Sequence, residues 1–510
     1  MLKKVLISLF LALAVWMAMD YRAVDQAQTL SIGGPFEFKS QELSKDGFIY
    51  SRFQVIETLV EVQEDGTMMP KLATGWEVSD DGLTWRFDIR QGVTFHDGNT
   101  MDAKSVELTL ENATKKPGVI HQLPLKDIST EGETVVIELD KPYRPILAVL
   151  SNFSTGIVSP ATFNDEGVME ILYGTGPYKI HEIATPHKLN VERFDEYWGE
   201  NASIKYVHYL TGHRPESRAL QAKSGQADMI FTLDPASMDM LKKEDSLWIH
   251  SQSIPRTVMM KVNNEHPFLN TRETRQALSL ALDRTGLADN IVRVPGSEAY
   301  QIFPPALASW HVNDLARGKQ DIAKAKQLLA DQGWVKGDDG ILVRDGERFA
   351  LSLMTYADRP ELPVLSTAIQ AQLKEIGIDI DVNIANSGSI PSSHHDGSLE
   401  LALMARNLAW VSDPLALVMN DARSHKGSDW GPMNWSSAEL NQLLQEMVVS
   451  VDDDEYLHLA QKAARLLADE MPMIPVTFYS QQVSVNKRVK HFRFDPFEHS
   501  FFASEMSLDQ

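Results

Sequence analysis

Strand and helix patterns alternate along the second half of the chain, and this alternation limits the folds open to it. Glycines such as Gly333 and Gly377 end two of the helical patterns. The predicted strands span 257–262, 349–356, 378–384 and 399–405, and the predicted helices between them span 274–287, 322–331 and 363–376. Strands that alternate with helices in this way are typical of α/β units, in which the helices cover a sheet. We therefore predict an α/β fold for this region.

The flanking parts of the chain have different patterns. The chain before this region is mixed and rich in turns, and the chain after it is helical and then extended. The predicted elements outside the alternating region are strands at 84–90, 135–139 and 476–479, and helices at 102–113, 440–447 and 456–470. Asp102 is expected to begin its helix, where a negative charge is favourable.

Two changes of pattern divide the chain into lobes. We predict that a first lobe comprises 28–257 and 477–510, with a subdomain at about 56–175. The second lobe then spans 258–476. In this arrangement the C-terminal segment returns to the first lobe, and two strands that cross between the lobes form a hinge.

The N-terminus has the pattern of a secretory signal peptide. Lys3 and Lys4 precede an apolar run at 5–19, and polar residues and the small residue Ala27 follow. The run is shorter than the about 20 apolar residues that a membrane-spanning helix needs, although an uncleaved anchor is an alternative. We therefore predict that residues 1–27 direct export and are removed.

The composition narrows the range of functions. The chain contains no cysteine, which excludes lipid anchoring through a cysteine, disulfides and thiolate metal sites. Lys and Arg total 48 against 70 Asp and Glu, for a net charge of −22. Such a surface disfavours nucleic acids and anionic membranes as partners. It is compatible with a cationic or metal-containing solute, although a need for solubility would also explain it.

The sequence lacks the usual motifs of catalysis. It has no Gly-x-Ser-x-Gly, His-Glu-x-x-His or Gly-x-x-x-x-Gly-Lys pattern. His181 and Glu182 are not followed by a second histidine at zinc-site spacing, and the acidic run at 452–454 lacks the glycine and glutamate of a calcium loop. We predict that the protein is not an enzyme and has no prosthetic group, with a hydrolase as the less favoured alternative.

Short segments spread over nearly the whole chain are similar to one family. They lie at 59–66, 70–76, 84–87, 90–98, 174–178, 197–199, 225–228 and 275–278. Together they resemble the peptide, dipeptide and nickel class of bacterial extracytoplasmic solute-binding proteins. The resemblance implies a two-lobed periplasmic-binding-protein fold with an appended subdomain in the first lobe. It also implies a monomeric periplasmic component of an ABC importer, which closes on a small solute and delivers it to permease subunits in the membrane.

Two further segments resemble the nickel-binding subgroup of this family. They are 355–363 and 389–397, and in the second of them some nickel-binding members carry a histidine pair on a mobile loop over the cleft. The resemblance implies that His394 and His395 bind Ni²⁺, a metal that imidazole suits. His425 is a third candidate ligand, because a related protein has a metal-contacting histidine nearby. For all three, an exposed histidine without a metal role is the alternative.

Side chains near the ends of the predicted strands are candidates for holding a chelator. Arg359 and Arg406 could each bind a carboxylate bidentately, with ion pairs inside the protein as the alternative. Tyr356 and Trp410 could form aromatic walls or pack in the core. First-lobe arginines that hold a metal chelate in one nickel-binding relative have no counterpart at 115–118 or 152–156. Nickel bound with free L-histidine therefore fits this sequence better.

A di- or oligopeptide is the main alternative ligand, and the histidines would then be incidental. The two cases differ in whether binding requires a metal. A role as a chemoreceptor partner could accompany import.

Overall fold

The structure is a computed structural model that describes residues 27–509, except 316, 317, 358, 410, 423 and 451. The predicted signal peptide therefore lies outside the described residues, apart from Ala27. The helices are α1 (Leu43–Arg52), α2 (Ala103–Ala113), α3 (Ile146–Leu150), α4 (Pro215–Lys223), α5 (Pro235–Leu241), α6 (Arg272–Leu280), α7 (Arg284–Gly286), α8 (Ile322–Ala330), α9 (Glu361–Glu375), α10 (Ser389–Asp396), α11 (Leu415–Ala422), α12 (Ala438–Val449) and α13 (Asp453–Glu470). Among the described residues, none of these helices combines the length and apolar character needed to cross a membrane.

The strands complete a mixed α/β fold, as the sequence predicts. They are β1 (Thr29–Gly34), β2 (Val60–Val62), β3 (Met68–Pro70), β4 (Ala73–Val78), β5 (Thr84–Ile89), β6 (Leu125–Glu131), β7 (Thr134–Leu139), β8 (Tyr178–Ala184), β9 (Lys188–Arg193), β10 (Tyr206–Thr211), β11 (Met229–Phe231), β12 (Leu247–Val262), β13 (Val335–Lys336), β14 (Leu342–Arg344), β15 (Glu347–Arg348), β16 (Ala350–Tyr356), β17 (Asp379–Ala385), β18 (Leu401–Asn407), β19 (Met473–Asn486), β20 (Val489–Lys490) and β21 (Ser507–Leu508).

One sheet runs through both halves of the molecule. In the described part of the chain, ten strands have the order β17-β16-β18-β12-β19-β11-β1-β10-β9-β8. The central strands β12 and β19 are antiparallel partners from Leu247–Asn486 to Lys261–Met473, with a register shift between Ser253 and Thr257. Such an irregularity bends a strand pair. We propose that this register shift marks the boundary between the two lobes, close to the boundaries that the sequence predicts in these strands.

The predicted subdomain region contains a separate antiparallel sheet, β4-β5-β7-β6, covered by α2. Asp102 caps α2 as expected, because its carboxylate accepts a hydrogen bond from the Ser105 N–H at 2.7 Å. The buried core of this region is continuous with that of the second lobe. The first lobe has its own core between the sheet and α1. The lobes are therefore in contact in this conformation.

A glycine-rich segment between the subdomain region and β8 packs directly against the backbone that follows α1 in the first lobe. A Cβ atom on Gly176 would lie 1.9 Å from the Gln54 carbonyl oxygen, and one on Gly174 would lie 2.0 Å from that of Val55. His96 ties the same segment to the subdomain region. Its N–H donates to the Gly174 carbonyl at 2.9 Å, and its Nε2 donates to the Gly176 carbonyl at 2.9 Å. Its Nδ1 is buried and has no hydrogen-bond partner in the described residues.

We expect acid to destabilise the protein through His96. Burial lowers the pKa of this imidazole to about 4, so the folded protein keeps it neutral while the unfolded chain takes up a proton below pH 6.5. The neutral His96 imidazole therefore contributes its full stabilisation of the folded protein above pH 6.5. This contribution, about 3 kcal/mol, is lost as the pH falls to 4. Urea unfolding at pH 7 and pH 4 should show a smaller acid loss in His96→Asn than in the unchanged protein. An equal loss in both proteins would contradict this expectation.

Candidate functional site

Side chains from both lobes meet where β12, β16 and β19 approach the C-terminal segment of the chain. Arg359 follows β16, and its Nη1 donates to the Tyr479 hydroxyl at 3.0 Å. The guanidinium carbons of Arg359 and Arg256 each lie 5.1 Å from the centroid of the Tyr479 ring. Arg256 belongs to β12 and Tyr479 to β19, so the cluster is built on the central strands of the sheet.

Arg52 and Glu498 complete this cluster from the first lobe. Glu498 lies between two guanidiniums, 3.3 Å from Arg256 Nη2 and 3.5 Å from Arg52 Nη2. Burial opposes ionisation of Glu498, but the neighbouring arginines outweigh it and lower the pKa of this carboxyl. We name Arg52, Arg256, Arg359, Tyr479 and Glu498 the interlobe arginine cluster. It joins the two lobes directly.

The cluster carries an excess of positive charge. Burial lowers the pKa of the Arg256 guanidinium, and the like charge of Arg359 lowers it further. Glu361, the first residue of α9, adds a second carboxyl, but burial raises its pKa. Its Oε1 is buried and has no hydrogen-bond partner among the described residues. Three guanidiniums are thus balanced by one firmly ionised carboxylate, and an anionic group in the cleft would correct the imbalance.

A cavity of about 830 Å³ lies beside the cluster, and the described residues that line it belong to the first lobe. Its walls include Tyr197, Trp198 and Arg493. Arg493 also borders a smaller pocket that contains Arg52 and Glu498. Ser151 lies on the rim of the large cavity and reaches Ser412 of the second lobe, with 3.3 Å between the hydroxyl oxygens. The large cavity therefore lies in the first lobe, next to the smaller pocket that contains Arg52 and Glu498 of the cluster.

The predicted histidine loop is a helix in the structure. His394 lies in α10, and Pro391 occupies its first turn, where a missing N–H is tolerated. The buried His394 ring accepts a hydrogen bond from Lys261 Nζ at Nδ1, at 2.7 Å, and donates one from Nε2 to the Lys426 carbonyl, at 2.9 Å. Both ring nitrogens are therefore engaged within the second lobe. The segment that carries the histidine pair is therefore helical and not a loop in this structure.

The three candidate histidines have separate partners. His395 Nε2 lies 2.9 Å from Asp429 Oδ1, and His425 Nε2 lies 2.7 Å from Glu265 Oε1. In the part of the chain that the structure describes, these imidazoles do not form a group of three convergent metal donors. Lys261, the partner of His394, is five residues from Arg256 along β12, so the Cα atoms of these two residues are about 17 Å apart. A metal role for the three histidines stays a prediction.

The other predicted ligand residues are distributed differently. Arg359 lies in the cluster, whereas Arg406 Nη2 contacts both carboxylate oxygens of Asp421, at 2.8 and 2.9 Å. The Tyr356 hydroxyl accepts a hydrogen bond from the Ala405 N–H at 3.2 Å, and its ring packs edge-on against Trp430. Trp410 lies outside the described residues. The structure thus brings Arg359, but not Arg406, into the group between the lobes.

We expect the two adjacent histidines to differ in their effect on stability. His394→Ala should lower the free energy of unfolding by about 1–3 kcal/mol, because it leaves the buried Lys261 amino group without one of its three acceptors. His395→Ala should change it by less than about 0.5 kcal/mol, because its contact with Asp429 is exposed. Urea unfolding of the unliganded variants measures the difference. Equal stability of the two variants would show that His394 does not support the second lobe.

Comparison with known proteins gives a consistent result. The family model for bacterial extracellular solute-binding proteins, family 5 Middle, matches residues 67–428. The nickel-binding protein NikA of Staphylococcus aureus is 22% identical over 441 residues, covering 86% of this chain and 86% of NikA. The oligopeptide-binding protein AppA of Bacillus subtilis is 23% identical over 491 residues, covering 91% of this chain and 88% of AppA.

Solved structures agree with this fold. Staphylococcus aureus NikA in complex with Ni(L-His)₂ has a TM-score of 0.77 at 21% identity, covering 94% of this chain and 100% of that chain. NikA from Brucella suis in complex with Fe(III)-EDTA has a TM-score of 0.85 at 22% identity, with the same coverage of 94% and 100%. The predicted two-lobed fold of the peptide and nickel class is confirmed.

Proposed function

Because this chain belongs to the family 5 bacterial extracellular solute-binding proteins, we propose that it captures nickel in the interlobe cleft, as a complex with a small chelator such as L-histidine. Proteins of this family bind small ligands and work with the permease components of ABC transporters. Nickel bound as a chelate then needs few ligands from the protein itself. The main requirement is a surface that recognises the carboxylates of the chelator.

The excess positive charge of the interlobe arginine cluster is the observation that carries this proposal. The chain as a whole has a net charge of −22, yet three guanidiniums gather between the lobes. Arg359 and Arg256 present planar donors that suit carboxylate oxygens. A histidine chelate supplies such oxygens together with the metal. The similarity to proteins named as nickel-binding, one of them crystallised with Ni(L-His)₂, supports this choice of ligand.

Contacts between the lobes explain how binding would favour closure. The Arg144 N–H, next to the subdomain sheet, donates to the Val448 carbonyl at 2.9 Å, and its guanidinium carbon lies 4.4 Å from the Tyr456 ring centroid. A ligand held by Arg52 from one lobe and Arg359 from the other would add to these contacts only in the closed form. Its differential affinity for the closed form shifts the population toward closure.

Calorimetric titration of the metal-stripped protein with Ni²⁺, with and without excess L-histidine, tests the proposal. An equivalent of Ni²⁺ that binds tightly only in the presence of L-histidine is the expected result. If the cleft bound Ni²⁺ tightly without L-histidine, it would need a fuller set of protein ligands, starting with His394, His395 and His425. Absence of an equivalent that depends on L-histidine would overturn the proposal.

A peptide is the second candidate ligand, and two observations favour it. The cavity of about 830 Å³ is large enough for several amino-acid residues. Glu361, with its unpartnered Oε1, lies close to the arginines, so the cluster offers both an acidic and a basic group to the amino and carboxylate groups of a peptide. The similarity to AppA is compatible with this alternative. Binding of a short peptide that is unaffected by a metal chelator would establish it.

A further inference from the structure

Three side chains at one edge of the first lobe bring metal-binding atoms together, far from the histidine pair in sequence. They are Glu37, which follows β1, His187 in the turn between β8 and β9, and His213, which follows β10. One ligand atom from each lies within 4.8 Å of those of the other two. His213 Nδ1 is 3.2 Å from Glu37 Oε1, and the His187 and His213 ring centroids are 5.1 Å apart.

The topology explains why these residues meet. β1 and β10 are parallel neighbours, so their carboxyl ends lie at the same edge of the sheet. The β8–β9 hairpin continues the sheet beyond β10 and brings its turn to that edge. Each of the three residues therefore comes from a different chain segment, at the same edge of four neighbouring strands.

Hydrogen bonds cross-link the three segments beside the ligand-bearing residues. The Phe38 N–H donates to the Pro186 carbonyl at 3.3 Å, and the Thr211 N–H donates to the His187 carbonyl at 2.9 Å. The Gly212 N–H donates to the Gly34 carbonyl at 2.8 Å. The Phe36 carbonyl accepts from the hydroxyls of Tyr209 and Thr211. The backbone that carries the triad is thus fixed, while the exposed side chains retain freedom to adjust.

The donor set matches a borderline divalent cation. Bonds of about 2.1 Å to two imidazoles and a carboxylate place the donor atoms about 3–3.5 Å apart, so the present spacing needs only side-chain adjustment. Two histidines and one carboxylate bind Zn²⁺, Ni²⁺ or Cu²⁺ in preference to Mg²⁺ or Ca²⁺. We propose that Glu37, His187 and His213 form a divalent-metal site of this class on the surface of the first lobe, with water in the remaining coordination positions.

This site is distinct from the proposed ligand cleft, although the two are adjacent. Glu37 follows Phe36, whose ring centroid lies 4.2 Å from the guanidinium carbon of Arg52. The cluster offers cationic groups to an anionic ligand, whereas the triad offers neutral and anionic donors to a bare cation. Its metal binding should therefore not require a chelator.

Calorimetric titration of the metal-stripped full chain with Zn²⁺ alone, and separately with Ni²⁺ alone, tests the site. We expect His187→Gln/His213→Gln to lose one equivalent of bound metal. Glu37→Gln should weaken that equivalent by at least about 10- to 100-fold, since even outer-shell changes have effects of this size. His181→Gln is a matched control, because exposed His181 lies 3.5 Å from Glu192 but belongs to no three-donor group in the described residues.

The outcomes separate this site from the others. Loss of the equivalent in the double variant, with His181→Gln and His395→Gln/His425→Gln unaffected, supports the triad. Unchanged isotherms in the double variant, or no metal binding by the unchanged protein, would overturn it. The double variant should still bind Ni²⁺ in excess L-histidine, so failure of the proposed transport ligand would appear independently.

Discussion

Arg359→Ala is expected to weaken binding of the Ni²⁺–L-histidine complex on the order of 100-fold, because a carboxylate in a closed cleft loses a charged partner. Calorimetry with excess L-histidine measures the change. The melting temperature of the unliganded variant should fall only moderately, because relief of the repulsion from Arg256 partly offsets the lost hydrogen bond to the Tyr479 hydroxyl. Loss of binding in a variant that remains folded at the assay temperature distinguishes a ligand-binding arginine from a purely structural one.

Two further variants sharpen this experiment. Arg359→Lys keeps the charge but cannot donate in a planar, bidentate manner, so we expect an intermediate affinity. Arg348→Ala removes an exposed arginine of the same lobe that pairs with Asp339 and Asp379, and it should leave affinity unchanged. If Arg359→Ala binds the chelate as tightly as the unchanged protein, the cluster is not the recognition surface.

Gly176→Ala is expected to have the largest effect on folding. Its added Cβ would lie 1.9 Å from the Gln54 carbonyl oxygen, far inside an ordinary contact distance of about 3.5 Å. Because the obstacle is backbone, a side-chain rotation cannot relieve it. The segment must then move away from α1 and from His96, which bonds to the Gly176 carbonyl. We expect a loss of more than about 4 kcal/mol in the free energy of unfolding, or failure to fold.

Gly75→Ala provides the control, because its Cβ would meet no heavy atom within 4 Å. Soluble yield and urea unfolding, measured for both variants in parallel, test the expectation. Similar stability of the two variants would show that the first lobe can open at this segment without penalty.

Periodicity located most elements of the second lobe but not all of their ends. The predicted helix at 274–287 ends at Leu280, because the Asp283 side chain accepts from the Gly286 N–H and starts a new turn. Only a short strand was expected at 476–479, yet β19 extends to Asn486. Its buried Gln481 and Gln482 hydrogen-bond to Thr232 and Ser251. Because these polar side chains interrupt the apolar pattern, the sequence did not predict this part of the central strand.

Less of the candidate site than of the fold could be predicted from the sequence. Arg359 could be found because it follows a predicted strand, and strand ends bind ligands in α/β lobes. Arg52 and Glu498 are 446 positions apart, and no local pattern links them. Arg256 precedes an apolar strand without any motif of its own. Such clusters depend on how the C-terminal segment returns to the first lobe, which periodicity does not report.

The position of β19 also determines when the protein can fold during its synthesis. This strand lies between β12 and β11 in the sheet, and the segment after it supplies Val489, Phe501 and Met506 to the core of the first lobe. Neither lobe can complete its sheet until residues 473–486 have been synthesised. Contacts that span almost the whole chain form slowly. The nascent chain should therefore remain incompletely folded until residues 473–506 have emerged.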